Sequence, residues 1–385
     1  MKTLFKRLSA LILSLLLLCT LYIPANAATP LQTCTFTWDP TQVNDSRQEL
    51  LSTGKAARST YFNSGVYLTT WEEIETALLP QLRTFSPTAS VSVAADTGYP
   101  LKDLAWDVFD AGCKHTGVPT EGDYLNHSRT SVNVNISYYT FGSTNYVTFT
   151  YTIDWITSPS MEAEMEVAVK QLLDKLDVYD ASDYKKVRAI YDYLCDNVVY
   201  DYAGLAADDK YAHSAYSALI KGKAVCQGYA LLFYRLALEL GVDARYISGT
   251  SNGESHGWNI VKLDGLYYNL DATWDAGNSY YQWFLVGDWY FYDHTRDFEY
   301  RLVSFYEAHP MSNTNYTPPK EIIPGDIDGN QTVNRDDVIQ LLLHVTMPSR
   351  FPIDADADFN GDSKVNRDDV IRLLLHVTMP SRFPL

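Results

Sequence analysis

Three residues whose side chains can carry nucleophilic acyl chemistry, Cys226, His256 and Asp271, follow one another within 46 residues. A thiolate attacks a carbonyl, an imidazole takes and returns the proton, and a carboxylate fixes the imidazole's tautomer and orientation. Cys226 opens a segment in which Tyr229, Leu232, Phe233, Leu236, Ala237 and Leu240 recur at helical spacing before Gly241 closes it. The thiol is therefore expected on the first turn of a helix, where the positive end of the helix dipole favours thiolate. Downstream, Trp258 to Leu263 and Leu266 to Leu270 flank Asp264-Gly265, a signal for a hairpin with a two-residue type I′ turn. Pairing Leu263 with Leu266 puts Trp258 opposite Asp271, so His256 becomes a diagonal neighbour of Asp271 on one face, roughly 7–8 Å away at the backbone. Imidazole and carboxylate can close that gap. One ring nitrogen of His256 then serves Cys226 and the other donates to Asp271.

The order and spacing select among cysteine enzymes. Caspases carry their histidine about 50 residues before the cysteine and papain-like proteases carry theirs roughly 130–150 residues after it. Here it follows by 30. Cys-x-Gly-x-Ala from Cys226, Gly-Val-x-Ala-Arg-Tyr from Gly241, His-x-Trp-Asn from His256 and Tyr-x-x-Asp-Ala-Thr-Trp from Tyr268, preceded by IYDYLCDNVVYD and SAYSALIKGKAVCQGYA, resemble the bacterial transglutaminase-like superfamily over about residues 182–275. The resemblance implies a papain-like core with Cys226 as nucleophile, His256 as general base and then acid, and Asp271 as orienting residue, acting on peptide or side-chain amides through a thioester. It implies no cofactor for the chemistry. Gln227 and the Cys226 backbone N–H are both candidates for an oxyanion hole. His115, His127, His213, His294 and His309 lie outside any paired motif and are expected to be structural or on the surface.

A second cluster of chemistry-bearing residues is repeated. VNRDDVIQLLLHVTMPSRFP from Val333 and VNRDDVIRLLLHVTMPSRFP from Val365 recur with a period of 32. Asp326, Asp328, Asn330, Thr332, Asn334 and Asp337 occupy positions 1, 3, 5, 7, 9 and 12 of a twelve-residue loop, and Asp358, Asn360, Asp362, Lys364, Asn366 and Asp369 occupy the same positions in the second copy. Hard oxygen ligands at these spacings suit calcium, and position 7 offers only its backbone carbonyl, so Thr332 and Lys364 fit. Each loop leads into one amphipathic helix, roughly 336–345 and 368–377. A duplicated calcium loop followed by a single helix resembles a type I dockerin, over about 323–385. That resemblance implies two calcium ions and a cohesin domain of a scaffoldin as partner, read by positions 10 and 11, Arg335-Asp336 and Arg367-Asp368. Their identity in the two copies implies that either half can face the cohesin. Position 6 is Gln331 and Ser363 where the calcium loop prefers glycine, and a non-glycine residue in the left-handed region costs about 1 kcal/mol.

The remaining residues set the compartment and the frame. Lys2, Lys6 and Arg7, the apolar run LSALILSLLLLCTLYI and Ala25-Asn26-Ala27 make residues 1–27 a secretory signal peptide. Its removal takes three positive charges from a formal net charge of −17, leaving about −20, so no basic patch exists to neutralise nucleic acid. No later segment is apolar enough to cross a bilayer. A secreted, extracellular protein, scaffold-bound and free of the membrane after cleavage, is expected. Cys34, Cys113, Cys195 and Cys226 remain; Cys226 must stay free, a bridge such as Cys34 to Cys113 is open to an oxidising compartment, and Cys195 in an apolar helix over 183–196 reads as a buried thiol.

The expected fold class is α+β: an α/β N-terminal region over 28–160, a papain-like transglutaminase core over 161–309, a linker over 310–322 and a small all-α dockerin over 323–385. In the N-terminal region, Thr70 caps a helix with Glu73 completing a capping box and Pro80 stopping it, 101–112 is a second helix, and 131–141 with 145–155 form a hairpin. A helix over 161–176 leads into the core. The function these features imply is a scaffold-docked peptidase or amidase, with a cross-linking transferase as the less favoured outcome of the same thioester. The alternative is a catalytically inactive peptide- or cell-wall-binding component of a cellulosome-type polysaccharide-degrading complex. No paired carboxylates stand out for a carbohydrase.

Overall fold

The computed structural model describes residues 32–37, 67–319, 323–353 and 356–385. The expected signal peptide and the first part of the N-terminal region lie largely outside them. The chain divides into two compact units between Tyr316 and Thr317.

The first unit opens with strands β1 (Gln32–Thr37), β2 (Thr88–Asp96), β3 (Arg129–Phe141) and β4 (Thr144–Trp155), ordered β1-β3-β4-β2, every neighbouring pair antiparallel. The expected α/β arrangement is thus corrected to an antiparallel α+β layer. The hairpin β3–β4 forms because alternating residues such as Val132, Val134 and Ile136 are buried while Gly142 takes the positive φ of the turn. Helix α1 (Trp71–Leu82) has the Thr70–Glu73 capping box, and α2 (Leu101–Gly112) matches its expected span. Pro80 does not stop α1. It lies within the last turn, which is held by fully buried Leu82 and by Gln81, whose amide donates to the Ala77 and Ser90 carbonyls and accepts from the Ser90 N–H.

Helices α3 (Pro159–Leu176) and α4 (Asp183–Asn197) lead to the short parallel pair β5 (Val199–Tyr200) and β6 (Lys223–Ala224), and then to α5 (Cys226–Glu239). From Gly228 to Leu238 every residue of α5 is buried, including Arg235, whose guanidinium pairs with Glu166 and Glu239. It packs on an antiparallel sheet ordered β10-β7-β8-β9, made of β7 (Ala244–Ser251), β8 (Glu254–Leu263), β9 (Leu266–Leu270) and β10 (His294–Arg296). Asp264 and Gly265 both have positive φ, 51° and 88°, as a type I′ turn requires, and Leu263 pairs with Leu266. One buried cluster runs from Ile74, Val134 and Phe149 into Leu232 and Leu270, so the N-terminal layer and the core share their interior.

Residues 310–316, expected to begin a linker, belong to this first unit. The Pro310 carbonyl accepts from the Tyr267 N–H at 2.8 Å, the Ser312 N–H donates to the Tyr267 carbonyl at 2.9 Å, and the Tyr316 hydroxyl donates to Asp264 at 2.9 Å. In the second unit, α6 (Arg335–Thr346) and α7 (Arg367–Thr378) follow the two loops and bury Val338, Leu341, Val370 and Leu373 with Ile327 and Ala357.

Candidate active site

Cys226 stands at the start of α5, with Val225 as N-cap. The turn is tight: a Cβ on Gly228 would come within 2.6 Å of the Ala224 side chain and 2.8 Å of the Ser214 carbonyl. The β5–β6 pairing, Tyr200 beside Ala224, holds the approach to the nucleophile.

His256 lies on β8 opposite Gly249 of β7. The β8–β9 ladder ends at Asn259 and Leu270, so Asp271 leaves the hairpin instead of pairing with Trp258, and caps a one-turn helix, Ala272–Asp275. Its Oδ1 accepts the Thr273 N–H at 2.9 Å, its own N–H donates to the Trp283 carbonyl at 3.0 Å, and the buried Tyr191 hydroxyl donates to its carbonyl at 2.8 Å. Thus clamped, Asp271 presents Oδ2 to His256 Nε2 at 2.7 Å. The Cys226 thiol acts on the same His256 ring and adds to the rise in its pKa. The structure therefore joins His256 to Asp271 directly and sets Cys226, at the start of α5, where it acts on the same imidazole.

The electrostatics follow from this geometry. Burial alone would lower the pKa of His256, but its hydrogen bonds to Asp271 and Cys226 outweigh burial and push it up to about 10. Burial alone would raise Asp271; hydrogen bonds from His256 and His294 instead hold its carboxyl below the usual range. The arrangement stabilises an imidazolium between a carboxylate and a sulfur, which is the state that pairs with a thiolate.

Three further readings change. His294, read as structural or surface, is buried and places Nε2 3.2 Å from the same Asp271 Oδ2. No motif signals it, because β10 is three residues long and is defined only by pairing with β7. Gln227 is tied up: its amide donates to the His127 carbonyl at 2.6 Å and its carbonyl faces His213 Nδ1 at 3.2 Å. Of the two oxyanion candidates, the Cys226 backbone N–H remains, a first-turn donor that the helix itself does not use. All four described cysteines are free, so the Cys34–Cys113 bridge left open in the sequence is not formed.

Residues 170–283, which contain Cys226, His256 and Asp271, match the family model of the transglutaminase-like superfamily. The chain carries a transglutaminase-like domain. Kyphoscoliosis peptidase of Homo sapiens is 30% identical over 182 residues, 41% of this chain and 26% of that protein, and the Mus musculus protein is 30% identical over 161 residues, 37% and 23%. The chain spans about a quarter of the length of these curated relatives. A crystal structure described as a TGase aligns at a TM-score of 0.26 and 13% identity over 50% of this chain and 53% of its own. His294 lies beyond the matched span of the transglutaminase-like domain.

The second unit has its own candidate site. Asp326, Asp328 and Asp337 each turn an oxygen to within 4.8 Å of the others. Asp337 is fully buried, with Oδ1 accepting the Ile327 and Asp328 N–H groups and Oδ2 the Asn334 N–H. Asp369, equally buried, does the same with Phe359, Asn360 and Asn366. Asp326 and Asp358 each accept two or three loop N–H groups, wrapping the loops around them. Asn334 and Asn366 cap their helices. Gln331 and Ser363 have φ of 71° and 64°, the left-handed backbone expected at position 6. Converging carboxylates repel unless a cation lies between them, and oxygen-only donors at these spacings fit calcium. Arg335, Asp336, Arg367 and Asp368 are exposed at the helix starts.

Proposed function

We propose that the transglutaminase-like domain is a cysteine peptidase or amidase, with Cys226 as nucleophile, His256 as proton carrier and Asp271 as orienting residue. The observation that carries this reading is the His256–Asp271 pair at 2.7 Å, with Cys226 at the start of α5 acting on the same imidazole. The thiolate sulfur attacks the amide carbonyl carbon, and the oxyanion forms beside the Cys226 N–H. The C–N bond then breaks, the His256 imidazolium gives its proton to the leaving amine, and a thioester remains. Water attacks the thioester, His256 takes its proton to become the imidazolium again, and the carboxylic acid departs as the thiolate is regenerated. An amine in place of water would make the same enzyme a transferase. The name of the human and mouse relatives favours hydrolysis, as does an aqueous setting outside the cell.

The same reading makes residues 323–385 a dockerin. The six loop positions from Asp326 to Asp337 and from Asp358 to Asp369 would each hold one calcium ion, ordering the loops, and Arg335-Asp336 and Arg367-Asp368 would meet a cohesin domain. The signal peptide would deliver the chain outside the cell. A peptide and amine library incubated with the wild type and with Cys226→Ala, followed by mass spectrometry, tests the catalytic half. Cleaved or amine-exchanged products that vanish in the variant are expected; identical product profiles would contradict it.

A further inference from the structure

His294 is held where neither the family match nor a surface role explains it. Its side chain has no solvent exposure, its ring stacks on Phe291 at 3.9 Å, and the rings of Trp274, Trp258 and Trp283 surround it at 4.8, 5.0 and 5.3 Å. Its one recorded polar contact is Nε2 to Asp271 Oδ2 at 3.2 Å, the oxygen that also faces His256, while its Nδ1 is buried without a partner. This places the proton. On Nδ1 it would be an orphaned donor and would leave a lone pair on Nε2 facing a carboxylate, so Nε2 carries it.

We propose that His294 is a positioning residue that shares Asp271 with His256: its Nε2–H holds the common carboxylate oxygen and draws off part of the charge otherwise lent to the His256 imidazolium. Every donor on Oδ2 competes for the same lone pairs, so His294 acts as a brake on how strongly Asp271 stabilises that imidazolium. Asp271 faces both rings, the rings face each other at 5.4 Å, and Cys226 acts on His256. Arg296, on the same strand, is turned to Asn269 and Asp288. The inference rests on the reading of Cys226 and His256 as a working pair.

The test is the pH dependence of Cys226 carboxymethylation in the full chain by iodoacetate, an anion whose approach the imidazolium favours, with the labelled site read by peptide mapping. His294→Phe keeps a ring in the aromatic box but removes the donor. Its alkaline limb is expected to move up by about half a pH unit or more. His294→Gln, which can keep a donor near Nε2, is expected to stay within about 0.2 of a unit of the wild type. A folded His294→Phe with an unmoved limb overturns the proposal, as does a Gln variant that shifts as far as Phe. Should the Phe variant fail to fold, nitrogen chemical shifts of the wild-type histidines decide: Nε2 of His294 is expected to be protonated across the active range, and a bare Nε2 overturns the assignment. A wild type with no alkaline limb at Cys226 would defeat the underlying reading itself, whereas an intact wild-type profile with an unmoved variant defeats the role of His294 alone.

Discussion

Cys226 differs from the other described thiols in what surrounds it. Burial pushes Cys113 and Cys195 up to about 12 and raises Cys34, whereas Cys226 opens a helix and acts on an imidazole held by a carboxylate. Removing that carboxylate should therefore reach the sulfur through His256. Asp271→Ala is expected to slow alkylation of Cys226 at neutral pH by about two orders of magnitude, and a rate within a factor of about two of wild type would show that His256 needs no orienting partner. Cys226, His256 and Asp271 were legible in the sequence because motif order and hairpin register both act over short separations. His294 was not, since the strand that brings it to Asp271 exists only through its pairing with β7. An isolated histidine among aromatics carries no periodic signal.

At the scale of elements, the site depends on two strands approaching across Gly249. A Cβ there would meet the Thr295 carbonyl oxygen at 2.1 Å and the Trp258 ring at 2.8 Å, so any side chain must part β10 from β7. Gly249→Ala is expected to lower stability by about 2 kcal/mol or more and to displace His294, measured as the urea midpoint together with Cys226 alkylation; a wild-type midpoint would contradict this packing. Helices α2 and α5 and the Asp264-Gly265 turn could be read from caps, periodicity and turn chemistry. Pro80 misled because local propensity yields to tertiary contacts: Leu82 and Gln81 anchor a turn that proline alone would end. β10 was invisible because its existence is wholly a matter of pairing with β7.

For the whole molecule, the division after Tyr316 separates a unit with carboxylates spread through hydrogen-bonded networks from one whose carboxylates converge. The repeat at period 32 made the second unit legible in advance, whereas the shared interior of the N-terminal layer and the core depended on long-range contacts that composition does not reveal. Calcium should act on the second unit alone. Calorimetry of the full chain is expected to show one transition rising when chelator is replaced by calcium, by about 2.7 kcal/mol at a hundredfold excess over the dissociation constant. The paired Asp326→Ala and Asp358→Ala substitutions should abolish the rise without changing Cys226 alkylation. A calcium-independent transition would contradict the assignment of the loops.

The central claim, that Cys226 works as a nucleophile activated by His256 and Asp271, is tested most directly by brief iodoacetamide treatment of the wild type near pH 7 with the labelled cysteines mapped by mass spectrometry. The account predicts that Cys226 is modified far ahead of Cys113 and Cys195 and that this lead collapses in Asp271→Ala. Slow labelling of Cys226 at the pace of Cys195, unchanged in the variant, would contradict it.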